Sequence, residues 1–171
     1  IQAEALAEAM GLHPIMKTIA PSFPWSHLPP PLCFRALASV RHNPDPIKPP
    51  WPDILITCGR QAVALSCAIR KASKGKTFTI HIQDPKINLK KFDLIIAPFH
   101  DNMKATNVLQ SLGSMHRINP SFLAQEAEKV KHLVDTLPKP WIGMIIGGVS
   151  KHHHFDTKAI DALSHDLLHL H

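Results

Sequence analysis

The chain has 171 residues, 44% hydrophobic and 19% charged, enough for one sizeable core, since a domain near 150 residues buries roughly 70% of its unfolded surface. Its longest apolar runs are a few residues, far below the roughly 20 that a membrane-spanning helix needs. Nineteen Lys+Arg against thirteen Asp+Glu leave a net charge of +6 with neutral histidine, which suits either an anionic partner or simply a soluble basic surface.

Ile1 to Met10 is rich in alanine, with Glu4 and Glu8 four residues apart and Gly11 just beyond; it is expected to be a helix already under way at a cut end. Residues 21–52 hold most of the sixteen prolines, which remove donors and push the preceding residues out of the helical region. A long connection follows, with at most one short helix near Leu32 to Val40. Cys33, Cys58 and Cys67 are too few and too widely spaced for a disulfide scaffold, so a reducing, cytoplasmic setting is expected.

From Asp53 the pattern becomes short apolar runs alternating with helical stretches. Asp53 to Cys58, Thr77 to Ile82 and Phe92 to Ala97 read as strands, with a helix over Gln61 to Ala72 and none long enough to be seen between the second and third strands. Such nearly all-apolar strands indicate an α/β fold, a Rossmann-like three-layer sandwich whose mainly parallel sheet is covered on both faces. Ser121 to Leu137 reads as a helix capped by Ser121 and stopped by Pro138 and Pro140. Trp141 to Ile146 reads as a fourth strand, followed by Gly147-Gly148 and a histidine-rich helical tail from Asp156 to His171.

Ligands of open parallel sheets sit beyond the carboxyl ends of the strands. The residues there are Gly59-Arg60, Gln83-Asp84-Pro85, His100-Asp101 and Gly147-Gly148-Val149-Ser150-Lys151-His152. Gly59 allows a sharp turn, and Arg60 could hold a phosphate at a helix start or simply pair on the surface. Asp84 could act as a base, bind ribose hydroxyls or only form an Asp-Pro turn. His100 and Asp101 offer acid/base chemistry, although adjacent side chains usually diverge. Gly147, Gly148, Ser150 and Lys151 have the composition of a diphosphate cradle without matching the Walker or dinucleotide patterns.

His152 to His154, His165, His169 and His171 have no nearby Cys or Glu to complete a tetrahedral set, so no metal site is read. Arg70 to Lys91 carries seven Lys/Arg and one acid, a solvated face or one that meets an anionic substrate or membrane. It lacks interleaved aromatics apart from Phe78, so no nucleic-acid partner is expected.

Read in order, the segments Gln2-Ala3-x-Ala5-Leu6-Ala7-Glu8-Ala9, Pro52-Asp53-x-x-Ile56-x-x-Gly59-Arg60, Gln83-Asp84-Pro85 and Phe92-Asp93-Leu94-Ile95-Ile96-x-Pro98-x-His100-Asp101 resemble one family. So do Asn107-Val108, Gly113, His116-Arg117 and Ile146-Gly147-Gly148-x-Ser150-Lys151-His152. The chain resembles the mitochondrial-fission ELM family, whose bacterial members are labelled nucleoside-diphosphate-sugar epimerases or glycosyltransferases. The resemblance implies the two-domain GT-B glycosyltransferase architecture. Residues 1–138 would form the N-terminal Rossmann-like domain, lacking its first strand, and residues 139–171 the beginning of the nucleotide-sugar-binding domain. The fold is thus expected to be truncated at both ends, poorly stable and, as a fragment, inactive.

On this resemblance Gly147, Gly148, Ser150 and Lys151 hold the diphosphate of a nucleoside-diphosphate sugar. His100 and Asp101 are the catalytic candidates, and Gly59, Arg60, Gln83, Asp84 and His152 line the cleft. No cofactor is implied. The acceptor would be a cell-envelope glycan or lipid, met by a protein peripheral to the inner face of a membrane. A non-catalytic fission-type interaction protein and a nucleotide-sugar epimerase stay open as alternatives.

Overall fold

Three runs of β-branched and apolar residues, each too short for a helix, build the centre of the fold. In a computed structural model describing residues 1–147 and 156–168, β1 (Ile54–Cys58), β2 (Phe78–Ile82), β3 (Leu94–Pro98) and a short β4 (Val108–Ser111) form one sheet of order β1-β2-β3-β4. All pairings are parallel: Ile54 faces Phe78 and Cys58 faces Ile82, Ile82 faces Ile96, and Pro98 faces Ser111. The fold is α/β, consistent with the Rossmann-like three-layer sandwich expected. One edge of β1 carries no strand among the described residues.

The chain divides into two compact units, residues 1–122 and 123–171. In the first, α1 (Gln2–Ala9) buries Ala5 and Ala7, and Gly11 follows it at φ +71° as a helix-ending glycine should. The proline-rich connection contains a single 3-10 turn at Pro30–Leu32 and α2 (Ala36–Ser39), a shorter helix than expected because Pro29 to Pro31 and the left-handed Arg35 bound it. The long helix α3 (Arg60–Ala72) returns the chain from β1 to β2.

Two buried clusters use opposite sides of α3. Val63 meets Phe92, which precedes β3, and Ile95 and Ala97 of β3, with Cys67 and Val108 beside them. Leu65 and Ile69 meet Val40, with Leu37, Ile47 and Trp51 of the preceding connection. Burying each such side chain contributes about 1.5–3 kcal/mol. No α-helix joins β2 to β3 or β3 to β4; 3-10 turns at Leu89–Lys91 and Phe99–Asp101 make the crossings. Asn107 secures these connections, its amide donating to Leu89 O and Phe92 O, both at 2.9 Å.

Two expectations are corrected. Trp141 to Ile146 is not a strand: residues 141–147 belong to no helix or strand, and Ile142, Ile145 and Ile146 are exposed. An apolar, β-branched run becomes a strand only where a neighbouring strand takes its hydrogen bonds, and the fourth strand of the sheet is Val108–Ser111 instead. The cap of α4 (Pro120–Val134) is Asn119, not Ser121. Asn119 Oδ1 accepts from Phe122 N at 2.8 Å and from the Ser121 hydroxyl at 2.7 Å, which leaves Pro120 at the first helical position, where a missing N–H costs nothing.

The second unit contains most of α4 and, farther on, α5 (Thr157–Leu168). No residue of α4 is buried; Leu123, Val130 and Leu133 of its apolar period lie exposed. Among the described residues no helix is long and apolar enough to cross a membrane.

Candidate functional site

Because β1, β2 and β3 run parallel and in close register, the segments that follow them leave from one end of the sheet. Gly59 stands between β1 and α3 at φ +89° and ψ 158°, a backbone state that side chains with a Cβ rarely adopt. Nothing lies within 4 Å of where its Cβ would be, so conformation rather than crowding requires glycine there.

Arg60, the first residue of α3, turns its guanidinium to the proline-rich connection. It donates to Ser26 O at 3.1 Å and Leu28 O at 3.3 Å. Trp25 Nε1 donates to Phe34 O at 2.7 Å in the same segment. The cavity between Arg60, Trp25, Leu28 and Cys33 is only about 10 Å³, room for about one water molecule.

After β2, Gln83 adopts φ +84° while its amide donates to Ile96 O at 2.8 Å. That pairing holds a strained backbone at the strand end. Asp84 receives the Lys86 amide at 2.8 Å on one oxygen and the Lys86 ammonium at 2.6 Å on the other. Burial pushes the Asp84 carboxyl up, but the two Lys86 bonds, the Lys86 charge and His81 outweigh it and hold the carboxyl below its usual value. The exposed Lys86 ammonium is raised by its bond to Asp84, by that carboxylate's charge and, more weakly, by Asp101. Lys86 is thus the ion-pair partner of Asp84.

After β3, the tight turn Phe99–Asp101 ends at Asn102 with φ +49°. It folds neighbouring side chains toward each other, contrary to the divergence expected: His100 Nε2 lies 3.7 Å from Asp101 Oδ1. That is ion-pair reach rather than a hydrogen bond, and the imidazole is largely exposed.

Beneath these loops lies His81, buried inside β2 and absent from the sequence-derived set. Its Nδ1 lies 2.9 Å from Thr57 Oγ1, and the hydroxyl proton of Thr57 can point to Ile80 O at 3.2 Å. Nδ1–H then donates to Thr57 and the ring is neutral. The ring also rests on Phe92, centroids 5.2 Å apart. Burial pushes its pKa down to about 4, against a weaker upward pull from Asp84. A histidine between two isoleucines of a strand was the available signal.

Gly147 is exposed in the segment that belongs to no helix or strand. Gly148, Ser150, Lys151 and His152 lie outside the described residues. The structure therefore gathers Gly59, Gln83, Asp84, His100 and Asp101 at one end of the sheet and adds Lys86 to them. Arg60 it commits, at least in part, to the connection.

In open parallel α/β sheets ligands bind beyond the carboxyl ends of the strands, and this sheet carries its polar, strained loops there. The sequence model of the family Mitochondrial fission ELM1 matches residues 1–171, and the chain belongs to that family. Mitochondrial fission protein ELM1 of Arabidopsis thaliana is 27% identical over 119 residues, a match covering 56% of this chain and 28% of the relative. The chain thus matches well under two thirds of that relative's length. No solved structure matches it.

Proposed function

We propose that this chain is part of a glycosyltransferase of the GT-B type that uses a nucleoside-diphosphate sugar. The observation that carries the reading is the convergence of Gln83, Asp84, Lys86, His100 and Asp101 at the carboxyl end of a parallel sheet, with backbone strain at Gln83, Lys86 and Asn102. Asp101 or His100 takes the acceptor hydroxyl's proton as that oxygen attacks the sugar's anomeric carbon, and the bond to the diphosphate breaks. The leaving diphosphate takes the negative charge and is held by Gly147, Gly148, Ser150 and Lys151 through backbone amides, a hydroxyl and an ammonium. The acceptor is a membrane-associated glycan or lipid, and the protein works at the membrane's cytoplasmic face.

The test is a thermal-shift panel of nucleoside diphosphates and nucleotide sugars on the full chain, with Gly148→Asp as control. A ligand at 100 times its Kd stabilises by about 2.7 kcal/mol, and the shift is expected for one nucleotide and lost in the variant. Asp101→Asn should retain that shift and lose transfer. Silence across the panel from a folded protein overturns the reading. It would favour the second one, a non-catalytic partner-recruiting protein, for which the name of the Arabidopsis relative speaks.

A further inference from the structure

The end of the sheet opposite these loops has a different chemistry. Helix α3 runs back against the strands, so its last turn reaches the amino ends of β2 and β3. There Cys67, Arg70, Lys71, Lys74, Gly75 and Lys91 surround an open concavity of about 500 Å³. Lys76 leads into β2 and Lys90 lies beside Lys91 before β3.

Lys71, Lys74, Lys76, Lys90 and Lys91 are all exposed, and none pairs with a carboxylate among the described residues. Asp93, at the start of β3, is already taken: Arg70 binds both its oxygens, and Thr79 donates to it from backbone and hydroxyl. Asp53, before β1, is the remaining acid that adjoins these strand starts.

The same end also exposes apolar surface. Ile54 and Phe78, the register partners that open β1 and β2, remain 39% and 48% exposed. Exposed apolar side chains at the same end of a sheet as a group of lysines are what the boundary of an anionic bilayer accommodates. The one arginine is locked on Asp93, so the free charges are flexible ammonium groups. They suit a fluid layer of headgroups better than a fixed phosphate needing two-pronged recognition.

We propose that the amino end of this sheet is a docking surface for an anionic lipid bilayer. Lys71, Lys74, Lys76, Lys90 and Lys91 supply the charge, and Phe78 with Ile54 the apolar contact. The proposal does not rest on the sugar-transfer reading. Docking at this end leaves the loops of the opposite end facing away from the bilayer, so it would not by itself bring them to a membrane-bound acceptor.

The test is flotation of the full chain with vesicles of phosphatidylcholine alone and of equal phosphatidylcholine and phosphatidylglycerol. Binding is expected only to the second and should weaken with salt. A lysine near such a surface is worth about fivefold in partitioning, so Lys71→Gln with Lys91→Gln should weaken binding about 25-fold. Lys129→Gln with Lys131→Gln, the same charge loss on α4, should change it far less. Phe78→Ser should lower binding without changing its salt dependence. The proposal is overturned by no binding, by equal binding to both vesicles or by binding unchanged in the Lys71/Lys91 variant. It is equally overturned if inorganic phosphate, an RNA or an acidic peptide binds this surface while anionic vesicles do not.

Discussion

His81 and Thr57 face each other across β2 and β1, Nδ1 to Oγ1 at 2.9 Å, in the interior of the sheet. The folded protein holds this imidazole neutral down to a pKa of about 4, whereas the unfolded chain takes up the proton near pH 6.5. Between those values the unfolded state binds more protons, so stability rises with pH across that window and is reduced by a fixed amount below it. At about 1.4 kcal/mol per pKa unit, the stability lost on passing below that window is about 3 kcal/mol. Urea denaturation at a series of pH values should show this slope for the native chain and lose it in His81→Leu. Thr57→Val, which removes the acceptor for Nδ1–H, should cost about 1–3 kcal/mol at neutral pH.

Asp93 behaves in the opposite sense. The Arg70 bonds are the main cause that holds its carboxyl down to about 2, with Thr79 adding to them against burial. Its share of stability is present at neutral pH and lost as the pH falls from about 4 towards 2. Asp93→Asn keeps the shape and discards the charge, and should cost about 1–3 kcal/mol. Arg70→Lys should recover only part, because an ammonium cannot bind both oxygens in parallel. Denaturant midpoints at pH 7 and pH 3 would separate the two effects; equal costs at both would contradict the assignment.

Gly59→Ala tests a purely conformational demand. With open space around the added carbon, any loss comes from the backbone, and about 1–3 kcal/mol is expected. Thermal melts of the single variant measure it. An unchanged melting temperature would show that the turn between β1 and α3 relaxes freely.

Arg60 holds Ser26 and Leu28 from an exposed position, so its removal should loosen the connection rather than the fold. In Arg60→Met, proteolysis and amide exchange should accelerate over residues 21–34 and change little in β1 to β3. If exchange in the connection is unaltered while nucleotide binding falls, the guanidinium acts on ligand instead.

How much of this was legible in the sequence depends on what decides each element. β1 to β3 are decided by continuous β-branched, apolar runs, which only burial in a parallel sheet explains. β4 is a four-residue edge strand with Leu109 and Gln110 exposed, so neither length nor alternation announces it. Trp141 to Ile146 has the composition of a strand, but pairing is a property of neighbours and leaves no mark within the segment. At α4, Asn119 and Ser121 are both good caps, and Pro120 was the deciding residue. The strand-end loops could be named from chain order alone. Lys86 was hidden inside a basic run, and only the fold separates it from the lysines at the sheet's other end.

The bare edge of β1 bears on how the protein behaves in a tube. Its side chains, Ile54 to Cys58, are those of an interior strand, yet among the described residues its outer amides and carbonyls have no ladder to join. Such an edge recruits any extended segment within reach. The protein is thus expected to self-associate with rising concentration, visible in light scattering. Phe78 N bonds to Asp53 O, so by strand alternation it is the Ile56 amide that faces the bare edge, and Ile56→Pro should delay the association.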